Sequence, residues 1–273
     1  MKKSLLALIT GSLFIGACST VSKMAVAPKA DGPSITNGGK VWASAWQQRS
    51  AEYKALCFQA YNLAKIRIDE ALKQPADKPL AVVTDIDETV LDNSPYDAMR
   101  ALNNQDYSPA TWKAWTAKAI ADTVPGAPSF FKYAASKGVA VFYITNREED
   151  ERAATIKNLQ KYGMPNADNV HLFLRQSSSS KESRRLQVLQ SHKIILLCGD
   201  NLPDFDVLYD NHPAEQNRLA VTERLHNEFG NRYIIIPNAA YGDFEGALFN
   251  NNNKLTNAQK DSTIRSKVKV DKQ

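Results

Sequence analysis

Five short apolar runs punctuate this chain: Leu80–Thr84, Val139–Ile144, Val170–Leu174, Ile194–Cys198 and Tyr233–Ile236. Runs that are apolar at nearly every position, rather than at alternate ones, read as strands covered on both faces. The stretches between them carry the three-and-four spacing of amphipathic helices, as in the segment predicted over Glu148–Tyr162. Strands alternating with helices build a central parallel sheet with helices on both sides, so an α/β fold is predicted.

Open parallel sheets bind ligands at the carboxyl ends of their strands. There the chain places Asp85-Ile86-Asp87 after the first run and Thr145-Asn146-Arg147 after the second. Gly199-Asp200-Asn201-Leu202-Pro203-Asp204 follows the fourth. Asp and Asn favour turns after strands anyway, but three clusters, two of them rich in carboxylates, exceed what turns need. By strand alternation Asp85 and Asp87 point the same way, and they repel unless a cation or a shared proton compensates. Such a pair suits one nucleophile and one acid/base beside a metal. Asp85, Asp87, Asp200 and Asp204 meeting at one edge call for a divalent ion. An all-oxygen donor set suits Mg2+. His171, His192, His212 and His226 show no metal spacing, which argues against zinc.

The ends are different in character. Residues 1–17 begin with Met1-Lys2-Lys3, run apolar from Ser4 to Ile15, and finish Gly16-Ala17 before Cys18. The order resembles a bacterial lipoprotein signal peptide, which implies cleavage before Cys18, lipid on that cysteine, and, with Ser19 next, an outer-membrane location. The alternative is an ordinary secretory leader cut near Ala17. Residues 18–40 are polar, with Gly, Pro, Ser and Lys, and read as a lipidated tether. Residues 41–249 suffice for one substantial α/β domain. Within it, 41–73 is one long or two shorter helices, with Trp42 and Trp46 on a core face. Residues 93–124 form a polar, aromatic insertion of short helices, and a Ser177–Ser180 run can cap the helix near Lys181. Residues 250–273 read as a polar tail, flexible or partly helical. The net charge of +5 owes much to the leader and to Lys260, Lys267, Lys269 and Lys272. The folded part is near neutral, which argues against a nucleic-acid polymer as partner. Cys57 and Cys198 are either one disulfide or two buried thiols, the commoner outcome at such positions.

At this point the motifs are specific. Asp85-Ile86-Asp87-Glu88-Thr89-Val90-Leu91-Asp92-Asn93-Ser94-Pro95-Tyr96 resembles the first signature of the class C bacterial non-specific acid phosphatases, within the haloacid dehalogenase (HAD) superfamily. Ile195-Leu196-Leu197-Cys198-Gly199-Asp200-Asn201-Leu202-Pro203-Asp204-Phe205 resembles their second, and Pro237-Asn238-Ala239-Ala240-Tyr241-Gly242-Asp243-Phe244-Glu245 a third block. Thr84 before the first Asp, Pro203 in the acidic motif and Phe244 depart from the usual pattern without removing a reacting group.

The resemblance implies a Rossmann-like HAD fold, with a small helical cap made by the N-terminal helix and the insertion after strand one. It implies Asp85 as nucleophile and Asp87 as acid/base, with Thr145 and Lys181 on the phosphoryl oxygens. It implies Mg2+ held by Asp85, the Asp87 backbone carbonyl and Asp200, with Asp204 behind the metal or Lys181. It also implies that Trp112, with Trp115 as the fallback, and Tyr241 sandwich a substrate ring. Arg147 is expected to pair with a carboxylate, and Asn238 to serve a turn. The activity implied is Mg2+-dependent hydrolysis of small phosphate monoesters, 5′-nucleotides and aryl phosphates, through an aspartyl phosphate. A phosphotransferase to alcohols, and a non-catalytic surface lipoprotein binding haem or nucleotide, are the alternatives. The membrane, through Cys18, is an expected partner, and a homodimer is left open.

Overall fold

The computed structural model describes residues 34–271. The leader, Cys18 and most of the tether region lie outside the described residues. Ten helices and seven strands are formed among the described residues. In chain order they are α1 (Ile35–Arg49), α2 (Ala51–Ala71), β1 (Leu80–Thr84), β2 (Leu91–Asp92), α3 (Ser94–Leu102), α4 (Pro109–Thr116) and β3 (Asp122–Thr123). Then follow α5 (Ala127–Ser136), β4 (Ala140–Ile144), α6 (Arg152–Lys161), β5 (Leu172–Phe173), α7 (Glu182–Ser191) and β6 (Lys193–Gly199). The last are α8 (Glu215–Arg224), β7 (Tyr233–Ile235), α9 (Asp243–Leu248) and α10 (Asn257–Lys267).

The five predicted strands form one sheet of order β5-β4-β1-β6-β7, with every pairing parallel. Alternation along each strand feeds two cores. Val82, Val141, Tyr143, Leu196 and Cys198 join one core, with Tyr61 of α2 and Phe130 and Phe131 of α5. Ala81, Val83, Phe142, Ile144 and Leu197 join the other, with Val188 of α7. Helices therefore cover both faces. The chain steps from β1 outward to β4 and β5, then returns to β6 on the other side of β1. That reversal opens a crevice at the carboxyl end of β1, the usual ligand position in such sheets.

The predicted insertion is rooted in a two-stranded antiparallel ribbon, with Leu91 opposite Thr123 and Asp92 opposite Asp122. Its helix α3 packs on α1. Gln47 Nε2 donates to Asp92 Oδ1 at 2.8 Å and Gln48 Nε2 to Ser94 Oγ at 3.0 Å.

Several boundaries differ from expectation. The tether, expected through Lys40, is already helix from Ile35, because Ser34 caps it by accepting from the Asn37 amide at 3.1 Å. The stretch 41–73 takes the second of its two expected forms: it is split at Ser50, whose extended backbone and hydroxyl, accepting from the Tyr53 amide at 3.0 Å, start α2. Of the two readings of the tail, flexible or partly helical, the second holds, since it contains α10. A reciprocal cap is supplied there by Thr256 and Gln259, and Asp261 Oδ1 accepts from the Ile35 amide at 2.9 Å, docking the tail on α1. As expected, the serine run caps the start of α7: the Ser180 hydroxyl accepts from the Glu182 amide at 3.3 Å, with Lys181 between them. Trp46 packs edge-on against Tyr53, whereas Trp42 is 78% exposed and is not core. Cys57 and Cys198 are both buried and free. Among the described residues no helix is long and apolar enough to cross a membrane.

Candidate active site

Strand β1 ends at Thr84, a fully buried residue whose hydroxyl donates to the Asp85 carbonyl at 2.7 Å. The chain then leaves the sheet in a tight loop. Glu88 takes a left-handed conformation with φ 56°, at a backbone cost of about 1–2 kcal/mol for an L-residue. The loop gives the two aspartates different partners, although both line one cavity. Asp85 meets the Lys181 ammonium, and Asp204 Oδ1 lies 2.7 Å from the same nitrogen. Asp87 meets the Arg147 guanidinium, at 2.7 Å from Nη2 to Oδ1, and the Asn93 amide at 2.9 Å.

The fourth-strand cluster completes the site. Asp200 lies at the end of β6, its Oδ1 accepting from the Thr89 hydroxyl at 3.1 Å and its Oδ2 from Asn238 Nδ2 at 2.8 Å. Asn238 is thus a partner of Asp200 as well as a turn residue, its own Oδ1 accepting from the Ala240 amide. Asp204 folds back over Gly199, where a Cβ would collide with its carboxylate. Its Oδ2 accepts from the Asn201 amide at 2.9 Å. Pro203 in this turn occupies a 3₁₀ segment that leaves the carboxylate geometry intact.

One ligand oxygen each from Asp85, Asp200 and Asp204 lie within 4.8 Å of one another. Three carboxylates share this space with the Lys181 ammonium. Burial pushes the Asp85 carboxyl up to about 7, against the pull of Lys181, with Asp204 and Asp87 adding to the rise. Burial also raises Asp200 well above its ordinary range, followed by the fields of Asp204 and Asp85. Carboxylates this uncomfortable, all offering oxygen, fit a hard divalent cation.

The cluster lies in a cavity of about 370 Å³. Asp85, Asp87, Lys181, Asp200 and Asp204 all line it, and so do Trp112 of α4, Tyr241 and Arg147. Trp112 lies edge-on to Tyr96, and the Arg147 guanidinium is 5.8 Å from its ring centroid. Tyr241 donates its hydroxyl to Glu88. Thr145 is fully buried and does not line the cavity, which Asn146 and Arg147 line in its stead. Its Oγ1 accepts from the Arg147 amide at 3.1 Å, which leaves its own hydroxyl proton free to donate. Trp115 does not line the cavity either. It points inward, packs on the core and donates Nε1 to Asn93 Oδ1 at 2.8 Å.

Some residues carrying the site were not singled out from sequence. Arg184 and Arg185 of α7 are both buried. Arg184 donates to the Thr145 carbonyl at 2.5 Å and to Asn146 Oδ1 at 2.8 Å. Arg185 donates to the carbonyls of Pro203 and Asp204, each at 2.9 Å. Together they tie the helix that begins at Lys181 to both neighbouring loops. In sequence they are two more cations in a helical stretch, with no signal to separate them. Glu88 and Asn93 were visible inside the first motif, but only the loop geometry shows that they face Tyr241 and Asp87.

Comparison with known proteins agrees with this geometry. The model of the HAD superfamily, subfamily IIIB (Acid phosphatase) matches residues 19–244. The stem 31 kDa glycoprotein of Glycine max is 26% identical over 147 residues, 52% of this chain. The match spans 57% of that curated relative, little more than half its length. The structure of the class C acid phosphatase from Bacillus anthracis superimposes with a TM-score of 0.82 at 40% identity, covering 87% of this chain and 99% of that one. The same enzyme with tungstate bound gives 0.82 at 39% identity, with the same coverage. The chain belongs to the HAD subfamily IIIB acid phosphatases, a family of phosphoric monoester hydrolases.

Proposed function

We propose that this chain hydrolyses small phosphate monoesters, 5′-nucleotides and aryl phosphates among them, through a phosphorylated Asp85 and with Mg2+. The observation that carries the reading is Asp85, aimed with Lys181 into a cavity where Asp200 and Asp204 stand close by. Asp85, Asp200 and the Asp87 backbone carbonyl would hold the cation, with Asp204 behind it. When bound, Mg2+ neutralises charge on the phosphoryl oxygens.

The chain's own residues do the rest. A carboxylate approaches an anionic phosphate only after its charge is offset, and Lys181 supplies a fixed cation for that purpose. Lys181 and the Thr145 loop, with Asn146, receive the phosphoryl oxygens. An Asp85 oxygen bonds to phosphorus as the ester P–O bond breaks, and Asp87 gives a proton to the departing oxygen. Asp87 then takes a proton from the water that releases phosphate from Asp85. The Bacillus anthracis enzyme binds tungstate, an oxyanion like phosphate, which supports reading this chain as one that accepts such anions. Trp112 and Tyr241 offer faces to the ring of a nucleoside or aryl group, and stacking tolerates different bases. A lipid anchor at Cys18 and an outer-membrane location belong to the same proposal and rest on the order of residues in the leader.

The test is phosphate release from 5′- and 3′-nucleotides, nicotinamide mononucleotide and aryl phosphates, with and without EDTA. Release should require a divalent ion and should vanish in Asp85→Asn. Full activity in Asp85→Asn would refute the covalent route.

A further inference from the structure

Asn93 is fully buried between the cap and Asp87. Its Nδ2 donates to Asp87 Oδ1 at 2.9 Å, its Oδ1 accepts from Trp115 Nε1 at 2.8 Å, and its backbone N–H donates to Glu88 Oε1 at 2.7 Å. An indole N–H can only donate. Trp115 therefore fixes which end of the amide faces Asp87, and that end is the NH2. Glu88 fixes the backbone of the same residue, and is itself fully buried and held by the Tyr241 hydroxyl.

The donors on Asp87 are unequally shared. Oδ1 takes Arg147 Nη2 at 2.7 Å, Arg147 Nε at 3.1 Å and Asn93. Among the described residues, Oδ2 has only Arg147 Nε, at 3.2 Å. We propose that Asn93 is a positioning residue for protonation of the leaving group: with Arg147 it saturates Oδ1 of Asp87, so that Oδ2 is the oxygen that exchanges the proton. The inference rests on the acid/base reading of Asp87. In the step, the Oδ2–H bond breaks and an O–H bond forms on the leaving oxygen. The P–O bond breaks with its electron pair remaining on that oxygen. Helix α4 then serves both ends of the event, with Trp112 on the cavity wall and Trp115 behind Asn93.

The test measures kcat/KM of the full chain on esters whose leaving groups run from 2,4-dinitrophenol through phenol to a primary alcohol. Trp115→Phe removes the indole N–H and keeps a ring, and Asn93→Ser removes the amide. Both should lose about tenfold or more on the alcohol ester, a part of the ~100-fold or greater effect of general acid catalysis. On the dinitrophenyl ester, which departs without a proton, the loss should be about threefold or less. An equal loss on every ester overturns the proposal, because a merely structural role slows all substrates alike. Asp87→Asn is measured beside them. If it shows leaving-group dependence and the Asn93 variant does not, the positioning role alone fails. If it too lacks the dependence, the acid/base reading fails and takes the positioning role with it. Should Trp115→Phe not fold, as judged by circular dichroism, Asn93→Ser decides.

Discussion

Replacing Lys181 by Met keeps most of the side-chain volume and removes the ammonium that stands among Asp85, Asp200 and Asp204. The Lys181 side chain is 6% exposed and those of Asp85 and Asp204 10% and 6%, so water cannot stand in for the lost charge. At the 2.7 Å separation from Asp204, the Coulomb attraction is roughly 6 kcal/mol at an effective dielectric of 20. Desolvation offsets much of it, and removing one partner of a buried pair costs about 3–5 kcal/mol. For a chain of this size that corresponds to a fall in Tm of roughly 6–20 °C. The penalty must depend on pH. Asp85 is already pushed up to about 7 by burial with the lysine in place, so at pH 5 that carboxyl is largely protonated and its share of the ion pairing is no longer there to lose. Urea unfolding of chelator-treated protein, followed by circular dichroism at pH 8 and pH 5, should show the large loss at pH 8 and a loss smaller by about 1 kcal/mol at pH 5. Equal losses at the two pH values, or a loss below about 1 kcal/mol at pH 8, would mean that Lys181 is an ordinary solvated helix residue and would refute the reasoning.

The metal-free wild type should itself lose stability as pH rises. Burial raises Asp85 and Asp97 to about 7, so the folded state binds protons that the unfolded state releases. The stability so gained is full below the unfolded value near 3.8 and is lost as pH climbs through about 7. Thermal melts between pH 5 and pH 8 check this, and Mg2+ should restore more at pH 8 than at pH 5, because cation and protons compete for the same oxygens. Trp112→Ala should raise KM for nucleotides by about ten- to a hundredfold, the value of roughly 1–3 kcal/mol of base stacking, while leaving a small alkyl phosphate nearly unaffected. Tyr241→Phe keeps the ring but removes the donor to Glu88. It should retain nucleotide KM and lower kcat, which steady-state kinetics on one nucleotide will separate.

The sheet was legible because parallel strands buried on both faces leave unbroken apolar runs, as in Ala81-Val82-Val83 and Ile194-Ile195-Leu196-Leu197. The cavity-lining carboxylates were legible because three polar clusters after such runs, two of them rich in acids, exceed what turns need. Their partners were not. Alternation aims Asp85 and Asp87 alike, and both do line the cavity, but it says nothing of their partners, Lys181 for one and Arg147 for the other, which lie far off in sequence. Aromatic roles on α4 were ambiguous for a related reason. Trp112 and Trp115 have the same chemistry in sequence, and only the packing of α4 gives one to the cavity and the other to Asn93. The helix over Ile35–Lys40 was hidden by Gly38 and Gly39, poor helix formers that the docking of α1 against α3 and α10 overrides.

The antiparallel ribbon of β2 and β3 has a consequence for how this enzyme family can diversify. Because Leu91–Asp92 and Asp122–Thr123 pair side by side, the segment between them departs and returns at one point, with its ends already joined. Closing a longer or shorter excursion there costs only about 0.6 kcal/mol per doubling of length, and none of that cost falls on the five-stranded sheet. The segment is in effect a cassette. A cap with other helices grafted between Asp92 and Asp122, keeping Asn93 and an indole donor behind it, would exchange the walls facing the leaving group and leave Asp85, Lys181 and Asp200 where they stand, so substrate range can be rebuilt without moving the nucleophile.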